Sequence, residues 1–246
     1  MAEHRRERGV QEGLVLRRLR SNQGGLHLSL MLALTFSTGV VDAVGYLGLD
    51  RVFTGNMTGN VVILGMALTG ADDLPIVGPV LALVGFVLGA MVAGRVLRGA
   101  EKGWRRRATW LLGVVAAIIV ASMIPLLVTS HPYPEAALFT VTTMLGAAMG
   151  MQAGVARHLA VADVTTVVVT STLVGLAFDS WLGRRVGQQW MRRLFAIVLI
   201  ALGALCGALL LQVGLISGIA LAAAITVAVA VLGHLGAPWH EKKATL

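Results

Sequence analysis

From residue 26 to residue 233 the chain is a near-continuous succession of apolar runs, at 26–49, 53–70, 75–97, 108–130, 136–160, 164–182, 194–214 and 215–233. Several approach or exceed the roughly 20 residues that a helix needs to cross a hydrocarbon core about 30 Å thick. Only 13% of the residues are charged against 57% apolar, and the mean hydropathy is +0.81. About a quarter of an ordinary soluble domain is charged. The pattern predicts an all-α polytopic membrane protein. The first 25 residues are polar and basic, and the first apolar run is too long for a signal core, so no cleavable signal is expected. The single cysteine, Cys206, lies inside an apolar run and excludes a disulfide framework.

The placement of charge constrains the topology. Of 20 Lys and Arg residues, 18 fall in four clusters, at 5–20, 95–107, 184–193 and Lys242–Lys243. Short basic segments beside spans mark the cytoplasmic face. The other connectors carry acids instead: Asp50, Asp72, Asp73 and Glu135. The net charge of +8 therefore reads as a topology signal that also favours anionic lipid, and no nucleic-acid partner is expected. Eight complete crossings would leave the 95–107 cluster on the wrong face. The conflict vanishes if 50–70 and 161–182 enter the membrane and return. Six full spans plus two re-entrant or broken segments result, with both termini cytoplasmic.

Three spans in each half make the halves an inverted 3+3 repeat. The expected organisation is a basic N-terminal segment (1–25), two membrane repeats (26–130 and 131–233) and a cytoplasmic tail (234–246). Val52, Thr54, Thr58, Val62 and Leu64 recur 112 residues later as Val164, Thr166, Thr170, Val174 and Leu176. GFVLG (85–89) and GALCG (203–207) place small residues four apart, a spacing that lets helices pack closely in lipid.

The two dips carry the most unusual chemistry, FTGNMTGN (53–60) and DVTTVVVTST (163–172). Backbone that leaves helix geometry at membrane depth survives only if buried in protein or lining a wet cavity. Glycine permits the departure in the first dip, and the β-branched run Val164 to Thr170 favours extended chain in the second. A short helix is expected after each, capped by Thr58 or Asn60 and by Thr170 or Thr172. Their N-termini would then face the interior, as in secondary transporters, where dipole ends and free N–H groups favour anionic groups. The plainer alternative is a tight TGNMTG turn between two ordinary spans.

Asp42 is the clearest ionisable intrusion. It reads either as a coupling acid or as a structural acid that accepts N–H groups of the broken segment. Gln152 lies within its span and is either a site residue or a bridge between helices. Arg157 contacts an anionic solute, pairs with Asp163, or snorkels to the interface. The candidate solute site comprises Asp42, Thr54, Asn56, Thr58, Asn60, Gln152, Arg157, Thr166, Thr170 and Thr172. His131, His158 and His234 have no ligand spacing, so no metal or cofactor is expected. No catalytic motif is present, and the chain is not expected to be an enzyme.

GVVDAVGYLGLDRVFTGNMTGNVVILG (39–65) and AAMGMQAGVARHLAVADVTTVVVTSTLVGLAFD (147–179), with the glycine-rich span 75–97 between them, resemble the YoaK-like family of bacterial inner-membrane proteins of unknown function. The shared elements are D-A-x-x-Y/F-L, M-T/S-G-N and G-x-Q-x-A followed by D-x-T-T-x-V-x-T-x-T. This chain departs at Ala153-Gly154, where Asn-Ala is common, and at Ser171, where glycine is. The resemblance implies a multi-pass fold in the bacterial cytoplasmic membrane and supplies no substrate. The expected function is a secondary transporter of a small solute, an anion being one candidate, in a bilayer and as a candidate homo-oligomer. The alternative is a non-transporting scaffold or stress-accessory protein.

Overall fold

The structure, a computed structural model, describes residues 23–70, 73–101, 103–159, 169–184 and 190–236. These residues form helices α1 (Gln23–Gly48), α2 (Met57–Ala67), α3 (Val77–Val96), α4 (Arg106–Ala121), α5 (Ile124–Val128), α6 (Glu135–Leu159), α7 (Val169–Phe178), α8 (Trp190–Leu211) and α9 (Leu215–Gly236). Six spans are long and apolar enough to cross a membrane: α1, α3, α4 with α5, α6, α8 and α9. Helices α2 and α7 have 11 and 10 residues. At 1.5 Å per residue they are about 15 Å long, half the hydrocarbon thickness, and cannot cross. Six spans with two short apolar helices is the arrangement the hydropathy and charge pattern predicts.

Local departures have local causes. The 108–130 run is helical from Arg106 to Ala121 and again from Ile124 to Val128. Pro125 has no N–H to give to the Ala121 carbonyl, which interrupts the ladder there. Helix α8 starts at Trp190, so Arg192 and Arg193 belong to its first turn instead of the preceding loop. The β-branched run expected to stay extended through Thr170 is already helical at Val169. Tertiary packing of α7 on α8 overrides a weak local preference there. Residues 160–168, which include Thr166 and Asp163, lie outside the described residues.

Two helix pairs form the frame, α3 with α6 and α1 with α8, and α9 packs across α1 and α4. Both pairs meet backbone to backbone. A Cβ added at Gly89 would strike the Ala147 carbonyl, and one at Gly150 the Phe86 carbonyl. In the other pair, Gly203 faces the Phe36 carbonyl and Gly39 the Ile200 carbonyl. Lipid is as apolar as leucine, so association depends on close van der Waals approach rather than on expelling water. The interior is filled by Met31, Leu34, Leu111, Leu112, Leu145, Met149 and Ile219, all fully buried. Val84, Leu88 and Met91 on α3, and Leu194, Val198, Leu202, Leu205 and Leu209 on α8, face outward at helical spacing. Those stripes suit lipid contact.

The basic loop after α3 also contributes to the core. Trp104 is buried, stacks on His27 at 5.2 Å and donates its indole N–H to Thr109 Oγ1 at 3.0 Å. Gly233 of α9 leaves room for the indole ring.

Candidate functional site

The first dip is a short extended strap held against α1. The chain reverses at Asp50 and Arg51, whose φ values of 63° and 56° are left-handed. The Gly45 carbonyl accepts N–H groups from both Leu49 (3.0 Å) and Val52 (3.3 Å). Residues 52–56 then run back along α1. Gly45 lets the Val52 carbonyl approach, and a Cβ at Gly55 would lie 3.0 Å from Thr38 Cγ2.

Asp42 satisfies the strap's backbone. Its Oδ1 accepts the N–H groups of Thr54 (3.0 Å), Gly55 (2.6 Å) and Asn56 (3.4 Å). Each unsatisfied N–H in the hydrocarbon region costs several kcal/mol, and a carboxylate is a stronger acceptor than a neutral oxygen. Of the two roles the sequence left open for Asp42, the structure shows the N–H acceptor directly.

Asn60 holds the strap from the other side. Its Oδ1 accepts the Phe53 N–H at 2.9 Å and its Nδ2 donates to the Phe53 carbonyl at 2.6 Å. It pairs with Phe53 much as a neighbouring strand would. The expected caps are therefore corrected. Asn56 is the N-cap of α2, accepting the Gly59 N–H at 3.2 Å, while Thr58 and Asn60 lie inside the helix. Asn60 is not available for capping because the strap uses both ends of its amide. Thr170 and Thr172 likewise lie inside α7, which starts at Val169.

Asn60→Ala is expected to cost about 2–4 kcal/mol, since it strands the N–H and the carbonyl of Phe53, both partly buried. Thr58→Ala, at an exposed position, is expected to stay within about 0.5 kcal/mol. Thermal unfolding in detergent separates the two.

A cavity of about 610 Å³ opens beside the strap, within the ~300–1,000 Å³ typical of small-molecule sites. Helix α1 contributes Asp42 and Tyr46, and the strap with the start of α2 contributes Phe53 and Gly55 to Gly59. Phe86 of α3, Val169 and Thr170 of α7, and Ile200 of α8 close the other side. The first turns of both short helices thus front one cavity. The Tyr46 and Phe53 rings stack at 4.9 Å.

Of the residues singled out from sequence, Asp42, Asn56, Thr58 and Thr170 line this cavity. Thr54 and Asn60 are buried in or behind the strap. Gln152 is buried one layer further back, where its Nε2 donates to Thr38 Oγ1 at 3.1 Å and thereby joins α6 to α1. Thr172 is buried in α7 and does not line the cavity. Arg157 is exposed near the end of α6 and is not among the lining residues. Asp179, at the end of α7, pairs with Arg193 of α8 at 3.0 Å. Sequence reasoning missed the aromatic wall of Tyr46, Phe53 and Phe86. A signal existed for Tyr46, which follows Asp42 by one helical turn and so shares its face. Among the described residues, no group of three His, Cys, Asp or Glu is placed to hold a metal ion.

A family described as "Protein of unknown function (DUF1275)" matches residues 30–232. The UPF0700 transmembrane protein YoaK of Bacillus subtilis (strain 168) is 29% identical over 190 residues, which cover 74% of this chain and 82% of that relative. No solved structure matches the chain.

Proposed function

The chain belongs to the DUF1275 family, and from that premise we propose that this multi-pass membrane protein is a secondary carrier of a small solute. The observation that carries the reading is the cavity lined by the first turns of both α2 and α7, beside the carboxylate of Asp42. Broken helices that meet at a cavity are how many secondary transporters build a site, and irregular backbone at membrane depth is tolerated where it lines one. A carrier of this kind moves its solute without covalent chemistry.

The packing also supports an inverted repeat. Gly150 lies against the Phe86 carbonyl in the α3–α6 pair as Gly39 lies against the Ile200 carbonyl in the α1–α8 pair. Helix α2 packs on α3 as α7 packs on α8. Exchange of the two halves maps each pair onto the other. With the basic clusters taken as cytoplasmic, both termini lie on the cytoplasmic side of the bacterial inner membrane. An anionic solute is not part of the proposal. The strap's own N–H groups at Thr54, Gly55 and Asn56 are bonded to Asp42 and are not open to an anion.

Cysteines placed at Thr58 and Thr170, in a Cys206→Ala background, test the reading in oriented membrane vesicles. Both are expected to react with a membrane-impermeant thiol reagent, because a carrier's cavity admits water. Protection of both positions from either side would mean dry packing and would favour a scaffold.

A further inference from the structure

The walls of the cavity define what it accepts. Among the described residues, Asp42 is the only carboxylate or cationic side chain in the lining. Its Oδ1 is held by three backbone donors, and Oδ2 receives none of the three. The carboxylate is therefore fixed in place before any ligand arrives. A single oriented negative charge attracts cations and repels anions, the more so where apolar walls bring the local dielectric below that of bulk water.

The rest of the lining decides which cation. A metal ion stripped of water needs about six or more oxygen ligands at short range. Here one carboxylate shares the lining with Val62, Ile63, Val169 and Ile200, which offer no side-chain oxygen. Tyr46, Phe53 and Phe86 supply aromatic surface instead, and Met57 a polarisable sulfur. Aromatic faces stabilise weakly hydrated organic cations, alkylated ammonium groups above all. Asn56, Thr58 and Thr170 add neutral polar groups to the same lining.

We infer that the cavity binds a small organic monocation carrying an alkylated ammonium group, its charge near Asp42 and its alkyl surface against Tyr46, Phe53 and Phe86. As a statement about transport, this rests on the carrier reading above. As a statement about binding, it rests on the cavity alone.

The test uses the full chain, purified in detergent, and measures binding by calorimetry and thermal shift. The probes are tetramethylammonium, choline and tetraethylammonium. Dimethylbutanol, the uncharged carbon isostere of choline, and the dimethylbutyrate anion are the comparisons. At least one ammonium probe is expected to bind about tenfold or more tighter than the neutral isostere, with no binding of the anion. Phe86→Leu keeps the Asp42 cradle and is expected to weaken the ammonium probes about threefold to tenfold. Equal binding of choline and its neutral isostere would overturn the inference, as would tighter binding of the anion or silence of every ammonium probe. If the ammonium probes stay silent while the Thr58→Cys and Thr170→Cys variants still react from water, the carrier reading stands and the cation does not. If both introduced thiols are protected, the carrier reading falls whatever choline does.

Discussion

Asp42→Ala is expected to destabilise the protein by about 3–5 kcal/mol, because it strands several backbone donors at membrane depth. Those donors are the N–H groups of Thr54, Gly55 and Asn56, all aimed at one carboxylate oxygen. Asp42→Asn keeps an oxygen in that position. It is expected to cost only about 1–2 kcal/mol, the difference between a charge-assisted bond and a neutral one. Apparent stability measured by unfolding in detergent ranks the two variants. Equal small losses for both, within about 0.5 kcal/mol, would show that the carboxylate does not hold the strap. The comparison also separates structure from function. Asp42→Asn should leave a folded protein whose cavity no longer carries a charge.

Gly150→Leu is expected to prevent assembly of the α3–α6 pair. A Cβ at Gly150 already meets the Phe86 carbonyl, which belongs to a rigid helix backbone. The remaining atoms of leucine would force the two helices apart, at a cost of about 3 kcal/mol or more. Gly39→Leu should do the same to the α1–α8 pair, where the obstacle is the Ile200 carbonyl. Gly94→Leu and Gly113→Leu are the controls, since a Cβ at either position meets nothing within 4 Å. These are expected to be neutral or to gain up to about 1 kcal/mol in helix propensity. Size-exclusion profiles of the four variants in detergent decide the matter. A Gly150→Leu protein as well folded as Gly94→Leu would contradict the close helix approach.

The two sets of variants report on connected features. Glycine contacts bring α1 against α8 and α3 against α6, and the cavity lies where these elements meet the short helices. The Gln152–Thr38 hydrogen bond joins α6 to α1 immediately behind the strap. Loosening of either helix pair is therefore expected to disturb the cavity before it unfolds the chain. Packed interiors move between discrete arrangements rather than deforming smoothly.

Hydropathy and charge placement, taken alone, determined the class of the protein, its six spans and the two apolar segments set apart from them. Those features depend on one-dimensional quantities: helix rise, membrane thickness and the cost of moving a cation through lipid. A role for Asp42 as acceptor of the broken segment's N–H groups was one of the two that the residues allowed, and the path of the strap shows it. Which asparagine caps α2 and which grips the strap was not legible, because both lie in the same short motif and only the path of the backbone tells them apart. Nor was the position of Arg157 outside the described cavity lining, or the aromatic wall, whose Tyr46 and Phe53 sit far from Phe86 in sequence. Those assignments belong to the tertiary structure, because side chains on different helices meet only after glycine-mediated contacts have set where the helices cross.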